Sequence, residues 1–206
     1  MSIKNLFVVL FITLGLFFFS SALSNVYADT GTKTPSGIML ANTCAGCHGV
    51  DGSSVGPSSP TIAGMSRDYF VETMEAYQSG ERPSTIMTRI AKGYSKKEIE
   101  LMAEFFSKQA FVRQPQKYDA KAAKLGKKLH KKYCVKCHED SGRSADDDAG
   151  ILGGQWQPFL RFTMEDFTTG KRPMKKKKQE RVNKLFKEHG QEGVEALIQF
   201  YGSQLQ

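Results

Sequence analysis

One pentapeptide pattern occurs twice in this chain, as Cys44-Ala45-Gly46-Cys47-His48 and as Cys134-Val135-Lys136-Cys137-His138. The two copies stand ninety residues apart and use all four cysteines of the 206-residue sequence, so any fold must serve both in the same way. The offset of ninety extends without a gap for about forty positions. It lays Gly64 on Gly154, Met74 on Met164, Glu75 on Glu165, Tyr77 on Phe167, Gly80 on Gly170 and Arg82-Pro83 on Arg172-Pro173. Self-similarity over such a span marks a duplicated structural unit. Towards the ends the offset grows to ninety-five, pairing Phe105-Phe106 with Phe200-Tyr201. That shift predicts an inserted loop of about five residues over 186–190.

Each unit reads as short helices with irregular connections, because no stretch sustains the apolar and polar alternation of a half-buried strand. Ser95-Lys96-Lys97-Glu98 has the form of a capping box, and Ile99, Met102, Phe105 and Phe106 follow at helical spacing. Val194, Leu197, Ile198 and Tyr201 repeat that spacing in the second unit. A further helix pair is predicted over 68–78 and 159–167, each followed within three residues by a glycine. The expected architecture is all-α, with two tandem domains over 29–112 and 113–206 and a junction near Pro115, where proline interrupts helix. Units this small bury little apolar surface alone, so disulfides, a metal or a large apolar cofactor should supplement each core.

Residues 6–19 form a nearly unbroken apolar run behind Lys4, followed by small residues and the step Val26-Tyr27-Ala28. This predicts a secretory signal peptide over 1–28. The run is shorter than the roughly twenty residues a spanning helix needs, so no stable membrane insertion is expected after cleavage. Export to a periplasm would favour disulfides, yet the spacing of the cysteines points elsewhere.

Two cysteines three apart on a helical turn project from one face, and a histidine directly after the second lies four residues from the first. That arrangement suits covalent attachment of c-type haem: Cys44 and Cys47, and again Cys134 and Cys137, would add to the vinyl groups, with His48 and His138 as proximal iron ligands. Four thiolates on zinc would leave both histidines unexplained. A dithiol redox pair lacks any βαβ context. A sixth ligand of soft thioether type favours ferrous iron. Met87 is the candidate in the first unit, lying in a loop after Arg82-Pro83, whereas Met74 and Met102 occupy core positions of helices. The second unit carries Lys177 at the position equivalent to Met87, so Met174 becomes the candidate there, with Lys177, Lys178 and His189 as alternatives. An axial histidine usually donates its other N–H to a carbonyl or carboxylate. Pro60 and the equivalent Gly150 are the expected acceptors, and Arg82 and Arg172 either pair with haem propionates or lie on the surface.

These segments resemble the tandem dihaem class I cytochromes c, and in particular the cytochrome subunits of the flavocytochrome c sulfide dehydrogenase group. The resemblance covers nearly all of the chain beyond residue 28. It rests on Cys44 to Gly49, on Ser79-Gly80-Glu81-Arg82-Pro83 leading to Met87, on Ile90-Ala91-Lys92-Gly93-Tyr94 and on Gly170-Lys171-Arg172-Pro173-Met174. It implies a periplasmic electron-transfer subunit with two His/Met haems, bound to a flavoprotein that oxidises sulfide and passing electrons to a small acceptor. This chain departs from the group at Lys178, where the second axial methionine is expected. Flavin would reside only on the partner, since no Gly-x-Gly-x-x-Gly follows a strand here. The alternative is a freestanding dihaem carrier delivering electrons to a terminal oxidase, and an open second iron would instead suit a sensor or peroxidase-like centre.

Charge divides unevenly. Residues 29–112 hold eight Lys and Arg against nine Asp and Glu, whereas 113–206 hold twenty against twelve. The basic second unit is expected to steer an acidic redox partner in a salt-sensitive way, and nucleic acid is not an expected partner.

Overall fold

The computed structural model describes residues 35–146 and 149–205, so the signal peptide expected over 1–28 lies outside the described residues. In the first half, helix α1 (Gly37–Asn42) is capped by Ser36 Oγ and leads into the one-turn α2 (Ala45–His48). Helix α3 (Arg67–Ser79) starts at the Ser66 cap and ends at Gly80 in the left-handed conformation. The short α4 (Met87–Ala91) precedes α5 (Lys96–Ser107), which opens on the capping box: Ser95 Oγ accepts from Glu98 N while the Glu98 carboxylate accepts from Ser95 N at 2.7 Å. In the second half, α6 (Ala120–Leu129) is capped by Asp119 and passes into a single π-helical turn, His130–Cys134. Helices α7 (Gln157–Thr168) and α8 (Lys176–Gly202) complete it. The described residues contain no strand, in line with the all-α reading.

The insertion over 186–190 is not a loop. It is absorbed into α8, which stays helical except at Gly190 (φ 57°, ψ −154°). The physical reason is local: Leu185 is buried in the second core and Glu188 gathers Lys132 and Lys184, so both faces of this stretch are held helical up to the glycine. Glycine alone adopts the break without strain.

Two cores result. Leu40, Phe70, Met74, Ile99, Met102 and Phe106 form the first, with Phe70 and Phe106 stacked at 5.6 Å. Leu129, Tyr133, Leu160, Leu185, Leu197 and Tyr201 anchor the second. Repeated contacts fix their equivalence. Gly64 N donates to the Phe106 carbonyl at 2.9 Å, and Gly154 N to the Tyr201 carbonyl at 2.8 Å. A Cβ on Gly52 would come 2.7 Å from the Phe106 ring, and one on Gly142 would come 2.8 Å from the Tyr201 ring. Both glycines also have positive φ, so the aromatic ring of each last helix packs directly on backbone that no other residue could supply.

The halves are joined by a polar clamp. Gln155, 1% exposed, accepts from Thr61 N and donates to the Thr61 carbonyl, both at 2.9 Å. Its Oε1 also accepts from Trp156 N, while the Trp156 indole donates to the Ser54 carbonyl at 3.0 Å. The residue equivalent to Gln155 in the first half is Met65, so the clamp belongs to one copy only.

Candidate haem sites

The π turn and α2 present the two motifs differently. In the first, Cys44 caps α2 and His48 N donates to the Cys44 carbonyl at 2.9 Å, so Cys44 and His48 share one face. In the second, Val135 N donates to the His130 carbonyl at 2.9 Å, a π-type bond that ends just as the motif begins, and His138 N again donates to the Cys134 carbonyl. No disulfide joins any of the four cysteines.

His48 is 8% exposed, and its Nδ1 lies 2.7 Å from the Pro60 carbonyl, the acceptor expected for it. A carbonyl can only accept, so Nδ1 carries the proton and Nε2 keeps its lone pair. Burial lowers the pKa of this imidazole, partly offset by Pro60, and keeps it neutral. The second motif departs from that pattern. Gly150 CO is near enough to raise the proton affinity of His138, but Nδ1 makes no hydrogen bond in normal geometry among the described residues. Burial and the Lys178 ammonium push His138 down to about 4.

A continuous cavity of about 270 Å³ connects these groups. Cys44, His48 and Met87 line one end, and Cys134, Cys137, His138 and Met174 the other. Lys178 also reaches this cavity, whereas Lys177 faces only a neighbouring surface groove shared with Lys132, Lys136 and Lys184. His189 lines neither; its Nε2 contacts Tyr133 Oη at 3.3 Å and its ring stands edge-on to that tyrosine. Met102 is sealed in the first core, and Met74, though buried in it, borders the cavity.

Arg82 and Arg172 are not surface residues of the ordinary kind. Arg82 is 6% exposed and lies over the Tyr77 ring at 4.8 Å; Arg172 lies over the equivalent Phe167 ring at 4.4 Å. Both face the Tyr69 phenol. Burial would raise its pKa, but the Arg82 and Arg172 charges outweigh that and lower it. Burial, then Arg82, lowers the pKa of Arg172. Neither guanidinium has a carboxylate partner among the described residues, so the junction between the two ends of the cavity is a cationic point in apolar surroundings. Neither spacing nor repeat singles out Tyr69, whose equivalent is Phe159.

The residues fit c-type haem. Iron needs a neutral imidazole with a free Nε2, which the Pro60 contact supplies at His48. The walls are carbon-rich, with Ile62, Phe70, Tyr77, Phe159, Leu160 and Phe167 among them, and suit a macrocycle better than water. Burial raises the pKa of the Cys44 and Cys134 thiols, opposite to the depressed value of a redox-active dithiol. No three His, Cys, Asp or Glu side chains converge among the described residues, as a zinc site would require.

Comparison with known proteins agrees with this chemistry. A profile for the cytochrome c family matches residues 36–109. Over 70 residues the chain is 46% identical to the cytochrome subunit of sulfide dehydrogenase from Chlorobaculum tepidum, a match covering 34% of this chain and 63% of that protein. Cytochrome c4 of Pseudomonas aeruginosa is 29% identical over 177 residues, covering 82% of this chain and 84% of the relative. The crystal structure of reduced recombinant cytochrome c4 from Pseudomonas stutzeri superposes with a TM-score of 0.70 at 25% identity, over 82% of this chain and 97% of that one.

Proposed function

Since the chain belongs to the cytochrome c family, as a dihaem class I member with covalent c-type haems, we propose that it relays electrons in the periplasm from a sulfide-oxidising flavoprotein to a small acceptor protein. Two domains, 29–112 and 113–206, would each carry one haem after removal of a signal peptide over 1–28. The thioether bonds fall to Cys44 and Cys47 in the first and to Cys134 and Cys137 in the second. His48 and His138 would hold the iron through their imidazoles, and Met87 and Met174 would supply the thioether donors. Lys178 is the alternative to Met174, because it too lines the cavity. When bound, the two haems supply one-electron chemistry at iron; the chain supplies position, polarity and exclusion of water.

The observation that carries this reading is the cavity that Cys44, His48 and Met87 line together with Cys134, Cys137, His138 and Met174, while Cys47 stands exposed beside it. Electron transfer between two centres needs them held close and rigid, and the Gln155–Thr61 clamp holds the two ends of that cavity. Arg82, buried, and Arg172, half-buried, have no carboxylate partner among the described residues and suit haem propionates at the junction. The sulfide-specific part rests on the likeness of a 70-residue stretch of the chain to a sulfide dehydrogenase subunit. Likeness to cytochrome c4 along most of the chain favours the second reading, a freestanding dihaem carrier serving a terminal oxidase.

Native purification of the mature protein from its own periplasm separates the two. Co-elution with a flavoprotein and rapid haem reduction by sulfide support the subunit reading. Elution alone, with two haems per chain and no catalytic response to sulfide, supports the carrier.

A further inference from the structure

The extra residues over 186–190 bring two ionisable side chains against one wall of the cavity. Tyr133, 4% exposed, lines that wall together with Cys134 and Cys137. Its hydroxyl donates to Glu188 Oε2 at 2.5 Å and meets His189 Nε2 at 3.3 Å, with the two rings edge-on at 5.9 Å. The same contact exists in the first half, where Thr43 Oγ1 and Tyr94 Oη lie 2.5 Å apart. Offsets of ninety and ninety-five lay Thr43 on Tyr133 and Tyr94 on His189, and likewise Asn42 on Lys132 and Gly93 on Glu188. Positions that hold an amide, a glycine and two hydroxyls in the first copy thus hold an ammonium, a carboxylate, a phenol and an imidazole in the second.

Hydrogen-bond chemistry decides how His189 can change. A phenol has one proton to give, and Tyr133 gives it to the Glu188 carboxylate, so at the imidazole contact its oxygen accepts and Nε2 carries the proton. Nδ1 has no hydrogen-bond partner among the described residues and can take up a second proton without breaking that contact. The side chain is 31% exposed, so this proton exchanges with water. Imidazole is the side chain suited to gain or lose a charge near neutral pH, and a hydroxyl is not. The groups facing the ring are Lys132 and Tyr133 from the π turn and Glu188 from α8, with Lys184 beyond it. Glu188 Oε2 stands 4.0 Å from His189 Nε2 and 2.7 Å from Lys132 Nζ, and Glu188 Oε1 stands 3.9 Å from Lys184 Nζ. One carboxylate already serves two ammoniums, so a proton on His189 adds a further positive charge beside the Tyr133 wall.

We propose that His189 is a proton-binding site linked to the second haem, taking up a proton from water at Nδ1 when that haem is reduced and returning it on oxidation. The electron comes from the donor flavoprotein and leaves to the acceptor; the only bond that forms and breaks is N–H. A positive charge at His189 favours the ferrous state over the ferric, and by reciprocity the added electron strengthens the hold of His189 on its proton. The first copy has no imidazole at the matched position, so falling pH draws electrons selectively towards the second half. This rests on attachment of a haem at Cys134 and Cys137, as read above.

The test uses the mature dihaem protein, with two covalent haems first verified by intact mass. Spectroelectrochemical titrations from about pH 5 to about pH 8, with haem signals assigned by paramagnetic NMR, read the potential of each haem across the range in which imidazole changes charge. The potential of the second haem should fall as pH rises, more steeply than that of the first. In His189→Tyr, which restores the residue of the first half, the excess slope should disappear. Nitrogen chemical shifts of the imidazole should show His189 holding its proton to higher pH in the reduced protein than in the oxidised one, a difference that a packing role alone does not produce. A second-haem slope unchanged in His189→Tyr, or a His189 titration identical in the two redox states, would overturn the proposal and leave the insertion as packing only. A mass showing one haem would instead sink the attachment reading, and this proposal with it.

Discussion

Replacing Gln155 by methionine, the residue at the equivalent position of the first half, tests whether the clamp holds the two ends of the cavity. The substitution nearly conserves volume but deletes the acceptor for Thr61 N and the donor to the Thr61 carbonyl, both at 2.9 Å. Thr61 is 2% exposed, so water does not replace these partners. Each orphaned backbone group costs about 1–3 kcal/mol, giving roughly 4 kcal/mol for the pair. At about 3 °C per kcal/mol for a chain of this size, the melting temperature of the holoprotein should drop by roughly 12 °C. Trp156 N also loses Oε1, which acts in the same direction. Differential scanning calorimetry reads the drop, and limited proteolysis should find new cleavage between the halves. A shift below about 3 °C with a single sharp transition would refute the reasoning, since two buried backbone groups cannot lose their partners at so small a cost.

Gly126→Ala in α6 would put a methyl group into the Ala196 carbonyl and 2.7 Å from Phe200 Cβ, forcing α6 and α8 apart. Overpacking against backbone at the upper end of about 1–3 kcal/mol, less about 1 kcal/mol of gained helix propensity, lowers stability by about 2 kcal/mol. Gly46→Ala, with nothing within 4 Å, should be neutral within about 0.5 kcal/mol, and thermal melts of the pair check both. The Lys132 ammonium and Tyr133 hydroxyl hold Glu188 down to about 2 from an ordinary value of 4.5. This favours the fold above pH 4.5 and is lost as pH falls towards 2, so wild type and Glu188→Gln should differ in acid melts near neutrality and converge at the low end. Met87→Ala should open the first iron to added carbon monoxide. If Met174→Ala leaves the second haem closed while Lys178→Ala opens it, absorbance titrations will have moved the ligand assignment to Lys178.

Periodic information in the chain carried a long way. Duplication, helical spacing and the Ser95 capping box are local or translational regularities, and each reappears as a helix, a core face or a cap, because short-range geometry is written in residue type and interval. The Cys-x-x-Cys-His pattern is equally local, since five consecutive residues carry the donors, and the Pro60 acceptor lies in the loop twelve positions after His48. What the repeat could not convey is where the copies differ and meet. Gln155, Tyr69 and Tyr133 look ordinary in sequence; their roles arise from partners 94, 13 and 55 positions away. The helical reading of 186–190 turned on Leu185 burying its side chain, and the setting aside of His189 and Lys177 on which way a helix faces. Spacing determines what a segment can become, whereas burial and long-range pairing determine which polar groups are left facing the cavity, and only the folded chain decides those.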